Sequence, residues 1–296
     1  MKHTWTLTVS RMRLAMRNRA FLFFSLVMPL AFLFLAMGVF AKGLANGTNY
    51  ILAPVLALTV MGSFWGLSVQ LVMFREQGIL RRFRLAPIGP GAMLASSILS
   101  NYVLTLPTVV LEFALAKWMF HLQHWGNLWS VFVLVSLGTV TFASLGLTVA
   151  SVTNTMQETQ IINNLIWSAF LFLTGATVPL PILPRWIQYL AWYLPPTYLV
   201  TGLQRSLVQN ATIWQVRAEL LALAGGTLFA FWVSQQLFRW EPEEKVSGRA
   251  KAWAAATVFP FLLLGAWESK HGQLLRDARS AFDTLHQISA QPGPPR

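Results

Sequence analysis

Long apolar runs separated by short polar segments dominate the hydrophobic pattern of this chain. Six of the runs are long enough for a membrane-spanning helix, which needs about 20 apolar residues. The predicted spans are residues 20–40, 51–74, 91–116, 128–151, 161–179 and 218–238. Residues 180–215 are rich in proline, tryptophan and tyrosine, which predicts short helices at a membrane surface. The pattern therefore predicts an all-α, polytopic integral membrane protein.

Two further segments flank these spans. Residues 1–19 place apolar side chains on one helical face and arginines on another, which predicts an amphipathic helix on the membrane surface, or simply a basic flank of the first span. Residues 252–267 form a charge-free run with Pro260 near its middle. As a helix this run is about 24 Å long, short of a hydrocarbon core of roughly 30 Å. It is either a tilted or locally thinned seventh span or a helix in the interface; a span is favoured and would place residues 268–296 outside.

Three parts of the chain follow from this pattern. They are an amphipathic cytoplasmic-surface helix (1–19), a six-helix transmembrane domain (20–245) and a C-terminal extension (246–296). The end of the extension reads Pro-Gly-Pro-Pro, which predicts disorder.

Composition and charge agree with a membrane protein. The chain is 55% hydrophobic and 11% charged, whereas soluble domains carry about 25% charged residues. A net charge of +12 would suggest nucleic acid in a soluble protein, but here the cations lie in short loops beside apolar runs. With the N-terminus in the cytoplasm, thirteen lysines and arginines fall in cytoplasmic segments and five on the opposite side. This positive-inside bias predicts a cytoplasmic N-terminus and argues against a nucleic-acid partner.

The charged segment at residues 75–90 separates the second and third spans. Ile79, Leu80 and Phe83 fall on one face of a predicted short helix, and Arg81, Arg82 and Arg84 carry its charge. Pro87 and the Gly-Pro-Gly sequence at 89–91 then break the chain. The cation count places this segment in the cytoplasm.

Glu112 is the one ionisable residue of the third predicted span. A charge within a membrane is costly, so such a residue faces protein or water and is a candidate for the transport path or a gate. The alternative is that Glu112 snorkels to the interface beside Lys117.

Motifs for catalysis are absent from the sequence. It contains no Gly-Lys pair and hence no P-loop for ATP, and neither H-E-x-x-H nor G-x-S-x-G occurs. His121 and His124 lie three residues apart but lack a third ligand in the sequence pattern. We therefore predict no catalytic, cofactor-binding or metal-binding residues in this chain.

Two motifs are similar to a known family. The residues after the second span, Glu76, Gly78, Leu80, Arg81, Arg82 and Pro87, resemble the cytoplasmic loop of the permease subunits of type-2 (export) ABC transporters. The run LTGATVPLPILPRWIQYLAWYLPPTYLVTGLQ at 173–204 resembles the glycine, proline and aromatic pattern that follows the fifth span of those permeases. The resemblance covers residues 1–245 and includes drug-resistance and polysaccharide export permeases.

The resemblance implies a permease dimer, made of two copies or of two paired permeases, with separate ATP-binding subunits that use ATP and magnesium. The charged segment would then be the coupling helix, with Glu76, Gly78, Ile79, Leu80, Arg81, Arg82, Phe83 and Pro87 as its residues. Its apolar face is expected to have no partner within its own chain and to fill a groove on the ATPase. Glu76 would take part in this contact or pair locally with an arginine.

The expected function is ATP-driven export of an amphiphilic, lipid or glycolipid-like substrate across the cytoplasmic (inner) membrane of a prokaryote. The chain is then a transport subunit and not an enzyme, and its partners are an ATP-binding subunit, a second permease and membrane lipid. Two alternatives remain at this point: a membrane enzyme that acts on lipid, and a membrane scaffold without transport.

Overall fold

The computed structural model describes residues 5, 8–9, 12–13, 19–40, 47–84, 89–241 and 248–287. Every regular element in these ranges is helical, which confirms the predicted all-α membrane fold. The α-helices are α1 (Arg19–Phe40), α2 (Gly47–Glu76), α3 (Ile79–Arg84), α4 (Pro90–Trp118), α5 (Leu128–Val152), α6 (Met156–Leu173), α7 (Arg185–Ala191), α8 (Pro195–Val208), α9 (Arg217–Gln236), α10 (Gly248–Ala256), α11 (Phe259–His271) and α12 (Gln273–Gln287). A short 3-10 helix, Leu180–Ile182, lies between α6 and α7.

Helices α2, α4, α5 and α9 are long and apolar enough to cross a membrane. They correspond to the second, third, fourth and sixth predicted spans. In α1 the described apolar stretch is the shorter Ser25–Val39. The fifth predicted span, 161–179, corresponds to α6, which begins earlier and ends earlier, at Met156 and Leu173. Its first turns carry the polar sequence MQETQ, and α6 is not among the described helices that are long and apolar enough to cross a membrane.

Helix α2 lies at the centre of the bundle and packs against α1, α4, α5, α6 and α8. Its buried side chains Leu52, Leu56, Val60 and Phe64 belong to the main core. Gly146 of α5 approaches this helix so closely that a Cβ atom on the glycine would overlap the Phe64 carbonyl oxygen. The backbones of α2 and α5 are therefore in contact, as small residues permit between membrane helices.

Polar side chains join neighbouring helices inside the bundle. Such pairs are found between α2 and α4, between α2 and α6, and between α5 and α9. The pairs are Asn101 Nδ2 to Ser63 Oγ (2.7 Å), Asn163 Nδ2 to Ser68 Oγ (2.6 Å), Thr141 Oγ1 with Thr227 Oγ1 (2.7 Å) and Thr148 Oγ1 with Ser234 Oγ (2.8 Å). In hydrocarbon these groups have no water to bind, so each pair holds its two helices in register.

The two ends of the bundle differ. One end carries α3 and the turn between α5 and α6, and is called the α3 end. The other carries α7 and α8, and is called the α8 end. There, residues 180–215 form the predicted short helices, and buried Asn49 at the start of α2 donates to the backbone oxygens of His124 (2.7 Å) and Leu207 (3.2 Å). Loops at the α8 end are thereby tied to α2 and α8.

The C-terminal extension runs back along α9 in two helices. Helix α10 starts near the α3 end, where the Trp253 and Trp232 rings lie 5.8 Å apart. The chain breaks just before Pro260, and α11 passes Gly226 of α9, where the missing side chain leaves room for the Phe261 ring. Helix α12 then packs against α8.

The two interpretations of residues 252–267 predict different courses for this segment. Residues 248–271 would extend about 36 Å as helix, and they follow α9 from one end of the bundle to the other. A helix lying flat in one interface would not reach both ends. The course along α9 is that expected of a crossing, but α10 and α11 are not among the described helices that are long and apolar enough to span a membrane, so the seventh span stays a prediction.

Candidate coupling site

Arg75, at the end of α2, reaches the C-terminus of α5. Its side chain is buried, with 1% exposure, and its guanidinium donates to the backbone oxygens of Ala150 (2.6 Å) and Thr153 (2.9 Å). The last carbonyl groups of a helix lack partners within the helix, and the helix dipole favours a cation beside them. Arg75 therefore ties the end of α2 to the end of α5.

A second buried arginine, Arg239, lies just beyond the end of α9 and shares the Thr153 oxygen with Arg75. Arg239 Nη2 donates to the Thr153 oxygen (2.6 Å), and Nε donates to the Ser151 oxygen (3.2 Å). Its Nη1 also lies 3.2 Å from Asn154 Oδ1. The C-terminus of α5 is thus held from two helices, α2 and α9.

Glu76 extends the contact of α2 to the next helix. Its Oε1 accepts a hydrogen bond from the Met156 backbone nitrogen (2.8 Å) at the start of α6. The Thr155 hydroxyl caps the same helix by accepting from the Glu158 nitrogen (3.1 Å), and Glu158 in turn accepts from the Asn154 nitrogen (2.8 Å). A carboxylate at a helix N-terminus is favoured by the dipole. Pairing of Glu76 with an arginine is not seen among the described residues.

Together, Arg75, Glu76 and Arg239 on residues 150–156 form what is here named the α5–α6 clamp. Arginines bind the negative end of one helix, and a carboxylate binds the positive end of the next. The clamp joins α2, α5, α6 and α9 at the α3 end of the bundle.

Gly78 connects this clamp to α3. Its φ of +67° lies in the left-handed region, and its nitrogen donates to the Arg75 oxygen (3.0 Å), so it reverses the chain directly after α2. The six-residue helix α3 follows at once. This confirms the predicted short helix in the charged segment.

The apolar face of α3 packs on its own chain. Leu80 is fully buried in a cluster with Met93 and Leu94 of α4, and Phe83 is partly buried against the same cluster. The expectation that this face lacks a partner in its own chain is therefore wrong. The hydrophobic pattern of a short helix shows that a face will be covered but not which chain covers it.

Some of the remaining residues of the charged segment lie on the surface, and others lie outside the described residues. Arg81 and Arg82 are exposed, and Ile79 is half-buried. Pro87 lies outside the described residues. The part of α3 open to a partner is therefore mainly cationic, with a smaller apolar contribution from Ile79 and the exposed part of Phe83.

Glu112 lies inside the bundle and apart from this site. It is fully buried, and its Oε1 accepts from the Thr59 hydroxyl of α2 (2.6 Å). Lys117 donates to the Leu122 oxygen (3.1 Å) and lies over the Trp125 ring. The alternative that Glu112 snorkels to the interface beside Lys117 is therefore wrong, because α2 covers this face of α4.

Sequence analysis counts Arg75 and Arg239 only as markers of topology and misses their buried role. Each arginine directly follows an apolar run, which by itself is ambiguous. A further signal lies in Thr155 and Glu158, whose T-x-x-E spacing is a capping box and marks the start of a helix. A helix start this close after a span implies free carbonyl groups beside it, to which a terminal arginine can bind.

Comparison with known proteins places these features in a family. Residues 2–208 match the family described as "ABC-2 type transporter". The chain is 27% identical to the linearmycin resistance permease protein LnrN of Bacillus subtilis over 187 residues, which are 63% of this chain and 47% of LnrN. It is 21% identical to the putative transport permease YvfS of the same organism over 230 residues, which are 73% of this chain and 89% of YvfS. The chain thus matches about half the length of LnrN and most of YvfS.

Proposed function

Because the chain belongs to the ABC-2 type transporter family and is a membrane transport permease subunit, we propose that it exports an amphiphilic, lipid or glycolipid-like substrate with energy from ATP hydrolysed in a separate subunit. The permease itself then supplies the path and no catalytic group. LnrN is named for resistance to linearmycin, and removal of a harmful compound from the cell is a task for an exporter. The largely apolar spans favour an amphiphilic cargo.

The coupling proposal is supported by the position of α3. This helix presents Arg81 and Arg82 on the surface and is joined through Gly78 to the α5–α6 clamp. A displacement of α3 by a docked ATPase would move the end of α2. Through Arg75 and Glu76 that movement would reach α5 and α6 together. This connection is the single observation that carries the proposed mechanism.

The orientation follows from charge. The α3 end carries the arginines of the charged segment and of the clamp, so we place it in the cytoplasm of a prokaryotic cell. The α8 end and α12 then lie outside. This orientation brings α3 to the side on which ATP is available.

The pairing of two permeases is supported by a polar stripe on α6. The exposed residues Gln157, Gln160, Asn164 and Ser168 follow one another at helical spacing. Polar side chains on a membrane helix face protein or water and not lipid. We infer that this stripe faces a second permease or the path between the two.

Charge reversal on α3 tests the coupling. Arg81→Glu with Arg82→Glu replaces two exposed cations, and Arg185→Glu, on exposed α7, is the matched control at the other end. Two exposed ion pairs at up to about 1 kcal/mol each predict an association with the ATP-binding partner that is weaker by up to about thirtyfold. Co-purification and ATP-dependent export in reconstituted vesicles are the measurements. Full association of the double variant would contradict docking at α3.

The α6 stripe is tested by cross-linking, since the chain contains no cysteine. Oxidation of Asn164→Cys is expected to give a covalent dimer in membranes. Leu228→Cys, exposed on α9, is the control and should remain monomeric. A dimer from Leu228→Cys alone would move the pairing face to α9.

A further inference from the structure

A cavity of about 290 Å³ lies between α8, α9 and the C-terminal extension. Its apolar lining includes Leu221 and Leu264, and two aromatic side chains, Tyr198 and Trp267, also face it. Pockets for small molecules usually measure about 300–1,000 Å³. This cavity therefore suits a ligand of headgroup size. Leu221 is 68% exposed and Trp267 is 45% exposed, so the cavity borders the outer surface of the bundle.

Three carboxyl groups line this cavity, namely those of Glu219, Glu268 and Asp277. Arg205 Nη1 lies 2.7 Å from Glu219 and 3.0 Å from Asp277. Glu268 accepts from the Leu274 backbone nitrogen. Glu219 is 3% exposed, and its Oε2 has no hydrogen-bond partner among the described residues. An unpartnered buried oxygen indicates a group that another ligand can satisfy.

The charges around the cavity do not balance. Arg205 lies at ion-pair distance from Glu219 and Asp277, and the exposed Arg276 side chain of α12 acts on Asp277 and Glu268. Burial nevertheless raises the pKa of Asp277 above its usual range, although Arg205 and Arg276 oppose this shift. The site therefore has more buried carboxyl groups than nearby positive charge can stabilise.

We propose that this cavity binds an alkylammonium group, carried either by a free amine such as choline or by the headgroup of a zwitterionic lipid. The carboxylates supply the opposite charge, and Tyr198 and Trp267 supply aromatic surfaces, which attract quaternary ammonium groups. A metal ion fits less well, because the described residues contain no set of three ligands arranged for one. The site lies at the α8 end and does not depend on ATP-driven export.

Calorimetric titration of the purified protein in maltoside detergent tests the site with choline as the probe. Its uncharged isostere 3,3-dimethyl-1-butanol separates charge from shape and should bind at least tenfold more weakly. Glu268→Gln and Glu219→Gln should each weaken choline binding at least tenfold. Asp283→Asn, which changes an exposed carboxylate of α12 outside the cavity, should leave binding unchanged. Size-exclusion elution shows whether each variant is folded, and the comparison with the isostere needs no variant.

Native mass spectrometry separates the two sources of the ammonium group. Equal amounts of phosphatidylethanolamine and phosphatidylglycerol are offered to wild type and to Glu268→Gln. Retention of phosphatidylethanolamine by wild type, lost in the variant, assigns the site to a lipid headgroup. Choline binding without this preference assigns it to a free amine. Absence of both, or equal binding of choline and its isostere, overturns the proposal.

Discussion

The two ends of the bundle use buried arginines in opposite ways. At the α3 end, Arg75 and Arg239 bind backbone carbonyl groups of α5. At the α8 end, Arg205 binds the carboxylates of Glu219 and Asp277. The first two arginines bind the partial negative charge of backbone carbonyl groups at a helix C-terminus. Arg205 binds the full negative charge of two side-chain carboxylates.

The largest effect is expected from removing Arg75. Arg75→Met leaves the Ala150 oxygen without its donor and should lower the free energy of unfolding by about 3 kcal/mol. Exposed Arg82→Met is the control and should stay within about 0.5 kcal/mol. Thermal unfolding in detergent measures both. Each variant removes one positive charge. Equal stability of the two would therefore show that the hydrogen bonds of Arg75 in the clamp do not stabilise the fold.

Removal of Arg205 should cost less, about 2 kcal/mol at neutral pH, because the carboxyl groups left behind can take up protons and carbonyl groups cannot. The raised pKa of Asp277 should rise further in Arg205→Met, since one opposing cation is lost. As the pH falls through this pKa, protonation removes the uncompensated charge, so the difference from wild type should shrink. The deficit of Arg75→Met should persist over the same pH range. Unfolding at pH 8 and at pH 5.5 distinguishes the two.

The two ends of the bundle also differ in how tightly the backbone packs around a glycine with positive φ. Gly78 and Gly126 have φ values of +67° and +63°, but only at Gly126 would a Cβ atom overlap neighbouring backbone, that of Ser206 and Leu207. We expect Gly78→Ala to cost about 1 kcal/mol, from the left-handed conformation alone. Gly126→Ala should cost about twice as much or more, because atoms must also move. Similar unfolding temperatures of the two variants would contradict this ordering.

The smallest change in stability is expected at Glu112, which has no arginine partner among the described residues. Glu112→Gln retains an acceptor for Thr59 and should alter the free energy of unfolding by less than about 1 kcal/mol. If the carboxyl group takes part in gating between α2 and α4, export should nevertheless fall at least fivefold. Export rates at matched protein levels provide the measurement. Unchanged export would assign Glu112 to packing.

Much of the fold can be predicted from the sequence because membrane spans and their breaks have strong signals. The four long apolar helices and the short helix α3 follow from hydrophobic runs, Gly78 and the charged segment. The hydrophobic pattern predicts the start of this helix at residue 161, whereas α6 begins at Met156, because its first turns are polar. The T-x-x-E spacing of Thr155 and Glu158 indicates the true start.

The candidate site was less predictable because burial of charge depends on tertiary contacts. Arg75 and Arg82 are both arginines of one short segment, yet one is buried and one is exposed. Leu80 illustrates the same limit for apolar residues, since the cluster that buries it draws its other members from three separate helices, α2, α4 and α5. The spacing of residues shows which of them share a helical face, but it does not show which element packs against that face.

The contact of Gly146 with Phe64 restricts how the transporter can change shape. A shear of α5 along α2 by one helical turn, about 5.4 Å, would bring a larger side chain to the Phe64 carbonyl oxygen. Gly138, two turns away, lies close to the side chains of Val60 on α2 and Leu199 on α8. The close packing at these two glycines opposes sliding of α5 along α2. We therefore expect large rearrangements to move α2 and α5 together, with hinges in the segments that flank them.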